Sequence, residues 1–208
     1  TLAVFGYSAF QISYDSAVEN DQAVMEILLG NILQQDNRLV DANRIYKGIN
    51  PASPYALTAR LRYADNLDQL ERTGEAIKLL RTIAEERPAM AGPLIRLGDM
   101  LRRRERFEDA VEAYDEAVRR IGELGPQHWS LLYSRGIVLE RSGQWDKAEA
   151  VFLKALEFQP EQPYVLNYLG YSWVDQGINL DRGKELIRKA VDLRPRDGYI
   201  IDSLGWAH

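Results

Sequence analysis

The 208-residue chain has no cysteine, only two histidines, and no apolar run approaching the roughly 20 residues that span a bilayer. Without cysteine there is no disulfide framework, no thiolate metal site and no cysteine nucleophile, although a cysteine-free chain suits cytoplasm and periplasm alike. Positive charge is in the minority: 26 Lys and Arg stand against 31 Asp and Glu, a net charge of -5. With no global positive field to condense on phosphate, nucleic acid is not an expected partner. The start, TLAVFGYSAF, lacks an initiator Met and a basic segment, so no leader or anchor is read there. The chain opens at Thr1 inside an apolar-rich stretch and stops at His208 within a helical pattern, and is expected to be a piece of a longer, bacterial protein.

Catalytic motifs are missing too. There is no phosphate-binding GxxxxGK[ST] loop, no HExxH, no GxSxG and no dinucleotide glycine fingerprint. His128 precedes a repeat start and is expected in a capping or solvated role, and Glu85 and Glu86 fall on a charged helix face. No catalytic residue, metal site or cofactor is expected, and the chain is read as non-enzymatic. The cluster Arg102, Arg103, Arg104 and Arg106 is placed at a helix C-terminus, where the dipole favours cations, with docking of an acidic partner as the alternative.

What the sequence has is a period. Small residues recur at Gly30, Ala64, Gly98, Gly136, Gly170 and Gly205, and a second small series runs Ala42, Ala76, Ala110, Ala148 and Gly183. Four residues after each of the latter comes a bulky side chain: Tyr46, Leu80, Tyr114, Phe152 and Ile187. Eight further on stand Pro54, Pro88, Gly122, Pro160 and Pro195. The small residues let two antiparallel helices approach closely, and the bulky one, on the same helix face, is expected to fill space toward the next repeat. Proline cannot continue a helix interior and marks the end of each second helix.

These residues resemble the tetratricopeptide repeat family, W-x2-L-G-x2-Y followed by A-x3-F, A and P. The best match is Trp129, Leu132, Gly136, Ala148, Phe152, Ala155 and Pro160, with Arg135 and Leu139 departing from the pattern. In the next unit Gly183 replaces the alanine and one residue is inserted near Gly177 to Leu180. The fold expected is all-α, a right-handed superhelical solenoid of antiparallel helix pairs. The units are read as 23–56, 57–90, 91–128 with an extended turn at Gly122–Gln127, 129–162 and 163–197. They are flanked by a second helix over 1–22 and a first helix over 198–208.

The resemblance implies a groove lined by first helices, through positions 2, 5, 6, 9, 12 and 13 of each unit. Its N-terminal part would present Asn31, Gln34, Gln35, Arg62, Asp65, Arg96, Asp99 and Arg102, and its C-terminal part Tyr133, Tyr164, Asn167, Tyr168, Tyr171 and Trp206. Amphipathic tyrosines, hydrogen-bonding asparagine and forked arginines suit a polypeptide ligand. The lysines with which some family members grip a chaperone tail are absent, Ile27 and Gly92 standing there. Tyr164 to Ala207 resembles long bacterial envelope-associated repeat proteins that act as lipoprotein adaptors for a processing protease, which implies a periplasmic scaffold. The function expected is a protein-interaction scaffold or adaptor; the alternative is the substrate-recognition arm of an enzyme. Self-association is expected through Ile200, Ile201, Leu204 and Trp206, whose second helix is missing.

Overall fold

The computed structural model describes residues 22–207, all helix, turn and coil, and separates into two compact units between Arg87 and Pro88. The sequence-expected helix over 1–22 lies, but for Gln22, outside the described residues. The first unit holds α1 (residues 22–35), α2 (Leu39–Gly48), α3 (Ala56–Gln69) and α4 (Thr73–Glu86). The second holds α5 (Gly92–Arg103), α6 (Phe107–Ile121), a 3-10 turn (Pro126–His128), α7 (Trp129–Arg141), α8 (Trp145–Phe158), α9 (Pro163–Asp175), α10 (Leu180–Leu193) and α11 (Gly198–Trp206). Consecutive helices pack as hairpins, giving the helix-pair solenoid architecture the period predicts.

The turn inside each hairpin is one device repeated. After α3 the amide of Glu71 donates to the Asp68 carbonyl and that of Arg72 to Leu67, a Schellman closure with Glu71 at φ 61°. Asn37 (φ 58°), Glu105 (φ 57°) and Gly143 (φ 75°) repeat the geometry, each followed by an amide that reaches five residues back. The residue carrying that amide is the N-cap of the second helix, and where it is an arginine it pairs with an acid three residues on: Arg38 with Asp41, Arg72 with Glu75, Arg106 with Asp109. Between α9 and α10 both Gly177 (φ 71°) and Asn179 (φ 47°) are left-handed, which accommodates the inserted residue.

The turns between hairpins follow from proline. Arg87, Gln159 and Arg194, each preceding a proline, are pushed out of the helical region to φ between -131° and -137° and ψ between 66° and 79°. Where Gly122 replaces proline, φ is +73° and the connection lengthens into the Pro126–His128 turn. His128 caps that turn, its Nδ1 accepting the Gly125 amide at 2.9 Å.

Packing within a hairpin adds to one expectation. The bulky residue of the second helix reaches the next repeat, as Phe152 does Tyr168 at 5.2 Å, and it also covers the small residue of its own first helix. A Cβ added at Gly30 would stand 2.4 Å from the Tyr46 ring, at Gly98 2.6 Å from Tyr114, and at Gly136 2.5 Å from Phe152. Ala64 already carries a Cβ, and its unit supplies Leu80, which is shorter than an aromatic. At Gly170 the opposing group is the Gly183 carbonyl at 2.6 Å, so two glycines give the closest backbone approach. Tyr46, Leu80, Tyr114, Phe152 and Ile187 are all buried, each contributing on the order of 1.5–3 kcal/mol. Gly205 in α11 meets nothing within 4 Å.

Candidate functional site

In the second unit, α9 and α11 build the walls of a cleft of about 620 Å3, lined with Glu140 and Arg141 at the end of α7. Both helices begin with local caps: Gln162 accepts the Tyr164 amide at 3.2 Å and Asp197 the Ile200 amide at 3.4 Å. The other carboxylate oxygen of Asp197 accepts from the Tyr164 hydroxyl at 3.1 Å, which ties α9 to the start of α11. Buried Ile200 packs with Leu166 and Ala190, and Asn167 Nδ2 donates to Ser203 Oγ at 3.0 Å. α11 is thereby seated on α9 with Tyr199, Asp202 and Trp206 on its cleft side.

Tyr168 crosses from α9 to α7, donating its hydroxyl to Glu140 at 3.0 Å. Its ring lies 5.2 Å from Phe152 and edge-on to Tyr133 at 6.0 Å. Burial, then the negative charge and hydrogen bond of Glu140, hold the Tyr168 phenol well above its ordinary range; burial does the same to Tyr133. Both are neutral donors at physiological pH. Tyr171 is half-buried, with the Trp206 ring 6.5 Å away, and Trp206 is 63% exposed. Exposed indole and phenol faces beside Asp175 and Asp202 give the cleft apolar walls and a charged rim.

A second cleft of about 360 Å3 shares Arg141, Tyr168 and Tyr199 with the first and continues to Arg102, Arg103, Glu105, Phe107, Tyr133 and Ile137. Tyr133, Arg102, Tyr168 and Tyr171 therefore line one connected strip. Tyr164 and Asn167 line neither cleft: Tyr164 holds Asp197, and Asn167 is fully buried as a clamp between α9 and α11. Asp99 accepts from the Tyr114 hydroxyl at 2.7 Å beside a smaller hollow, and Arg96 is exposed on α5 outside the described clefts. In the first unit the Tyr46 hydroxyl is shared between Asn31 at 3.0 Å and Gln34 at 3.2 Å, and Arg62 donates to Gln34 at 3.4 Å. Asp65, one turn along from Arg62 on α3, is partly exposed. Asn31 and Asp99 stand at the same register, each held by the tyrosine that covers the preceding glycine.

Among the cleft residues that the sequence did not single out are Glu140, Arg141, Asp175, Tyr199 and Asp202. The signal was available, since they occupy positions 12 and 13 of unit 129–162, 13 of unit 163–197, and 2 and 5 of the final unit. Those are register positions of the groove itself.

The sequence matches the Tetratricopeptide repeat family over residues 61–124, 95–163 and 133–198. The chain belongs to that family, whose fold mediates protein–protein interaction. It is 28% identical over 160 residues to TPR repeat-containing protein PA4667 of Pseudomonas aeruginosa, covering 76% of this chain but only 26% of that protein. Among solved structures, MamA from Desulfovibrio magneticus RS-1 superposes with TM-score 0.69 at 18% identity, covering 86% of this chain and 98% of that one. YrrB, described as a TPR protein with an unusual peptide-binding site, superposes with TM-score 0.65 at 20% identity, covering 94% and 97%. At such identities the likeness is one of fold.

Proposed function

We propose that this chain is a non-enzymatic interaction scaffold whose cleft between α9, α11 and the end of α7 holds a polypeptide segment. The observation that carries the reading is the concentration of Tyr168, Tyr171, Tyr199 and Trp206 around one cleft, with Trp206 and Tyr199 turned to solvent rather than into the core. Rigid aromatic faces give contact area at low ordering cost, and the neighbouring carboxylates and Arg141 supply directional partners. The resemblance of Tyr164 to Ala207 to envelope adaptors makes a protease, or a substrate delivered to one, the partner class to test first.

The test is selection of binders from a displayed random-peptide library on the whole chain, repeated on a Tyr171→Ala, Trp206→Ala variant shown to be folded by circular dichroism. Tyr168 is left intact because its ring packs on Phe152. Peptides retained by the parent and lost by the variant are the expected result. Equal retention by both would overturn the placement.

A second reading, self-association, is favoured by Ile201 and Trp206, exposed on α11 around Gly205, where an added Cβ would meet open space. Sedimentation equilibrium should then show a mass that rises with concentration and falls back in an Ile201→Glu variant. A constant monomer mass would remove this reading.

A further inference from the structure

The two connected clefts of the Pro88–His208 unit differ in the sign of their charge. The larger sets Glu140, Asp175 and Asp202 against a single guanidinium, Arg141. The smaller sets Arg102, Arg103 and Arg141 against a single carboxylate, Glu105. Because Arg141, Tyr168 and Tyr199 line both, the strip is continuous and its sign changes at Arg141, whose guanidinium lies 4.9 Å over the Phe107 ring.

The acidic end is not offset by ion pairs among the described residues. Asp175 and Asp202 are exposed, and among the described residues neither takes part in an ion pair or side-chain hydrogen bond. Glu140 accepts the Tyr168 phenol, a neutral donor that brings no opposing charge. Beside these groups stand the Tyr171 and Trp206 rings.

We propose that the segment held by the strip is bipolar: a lysine or arginine seated against Tyr171 and Trp206 within reach of Asp175 and Asp202, and an acidic residue of the same segment at the Arg102 end. A cation is attracted both by an aromatic face and by the flanking carboxylates, more strongly in a cleft that sheds water. At the other end guanidinium forks match a carboxylate bidentately. A segment laid the other way would set like charges against each other at both ends, so the charge pattern also fixes its direction. This inference rests on the cleft being a peptide groove.

The probes are the peptides selected from the random library on the whole chain. They should carry a basic residue and an acidic residue at a fixed separation. Binding should weaken about tenfold on Asp175→Asn with Asp202→Asn, stay unchanged on Asp146→Asn outside the strip, and be lost when the peptide's two charges are exchanged. Peptides lost on Tyr171→Ala, Trp206→Ala but indifferent to Asp175→Asn, Asp202→Asn and to charge exchange would overturn the polarity and leave the groove standing. An absence of peptides that depend on the aromatic pair would overturn both.

Discussion

Replacing Gly136 by alanine tests the packing rule seen at Gly30, Gly98 and Gly136. The new Cβ would stand 2.5, 2.7 and 2.8 Å from three ring carbons of Phe152, about 1 Å inside ordinary carbon–carbon contact. Phe152 is fully buried, and Tyr168 and Tyr133 hem it at 5.2 and 6.3 Å, so the ring has little room to yield. Overpacking of this kind costs about 1–3 kcal/mol, against which alanine regains about 1 kcal/mol of helix propensity. With so little room the cost should fall in the upper part of that range, about 2–3 kcal/mol, leaving a net loss of about 1–2 kcal/mol and a urea midpoint lowered by about 0.5–1 M at a typical slope of about 2 kcal/mol/M. Gly205→Ala makes the same local change where nothing lies within 4 Å, and should leave the midpoint unchanged or raise it. Adding Phe152→Leu to Gly136→Ala copies the chain's own Ala64 and Leu80 pair, and should show a favourable coupling of about 1 kcal/mol in a double-mutant cycle. Urea unfolding followed by circular dichroism measures all three. If Gly136→Ala is as stable as the parent, or Gly205→Ala falls equally, the close approach of small residue and ring is not what sets the spacing.

Other consequences are as direct. Tyr114, Tyr133 and Tyr168 are held above the ordinary phenol value of 10.0, so above that pH the folded chain binds protons that the unfolded chain has lost. Stability should therefore be intact below about pH 10 and fall as pH rises beyond it, with phenolate absorbance appearing together with unfolding; early, independent ionisation of all tyrosines would contradict the burial argument. Glu105→Gly, at a left-handed φ of 57°, should stabilise the chain by about 0.5–1 kcal/mol in the same urea assay, since only glycine takes that conformation without strain. Tyr114→Phe keeps the ring over Gly98 but removes the donor to Asp99, and should cost about 1–2 kcal/mol; no loss would mean that water replaces the phenol.

The sequence by itself determined the architecture. Coincident series of small, bulky and proline residues specify where helices touch and where they end, because close packing and the proline ring act locally and leave a periodic trace. Tyr168 and Tyr171 were legible for the same reason, as outward positions of a first helix. The identical register held Glu140, Arg141, Asp175, Tyr199 and Asp202, unnoticed because charged residues and the start of a half repeat read as ordinary surface.

The tertiary structure decided the rest. That Phe152 covers Gly136 of its own hairpin, that Asn167 turns inward to Ser203 while Tyr171, one turn along, faces Trp206, and that Tyr114 holds Asp99, are outcomes of packing between elements. A register position says which way a side chain leaves its helix. Whether it meets solvent, a neighbour or a partner depends on what the next helix places there, and α11, lying over α9 and tied down by Asp197 and Ser203, converts a row of tyrosines into a cleft.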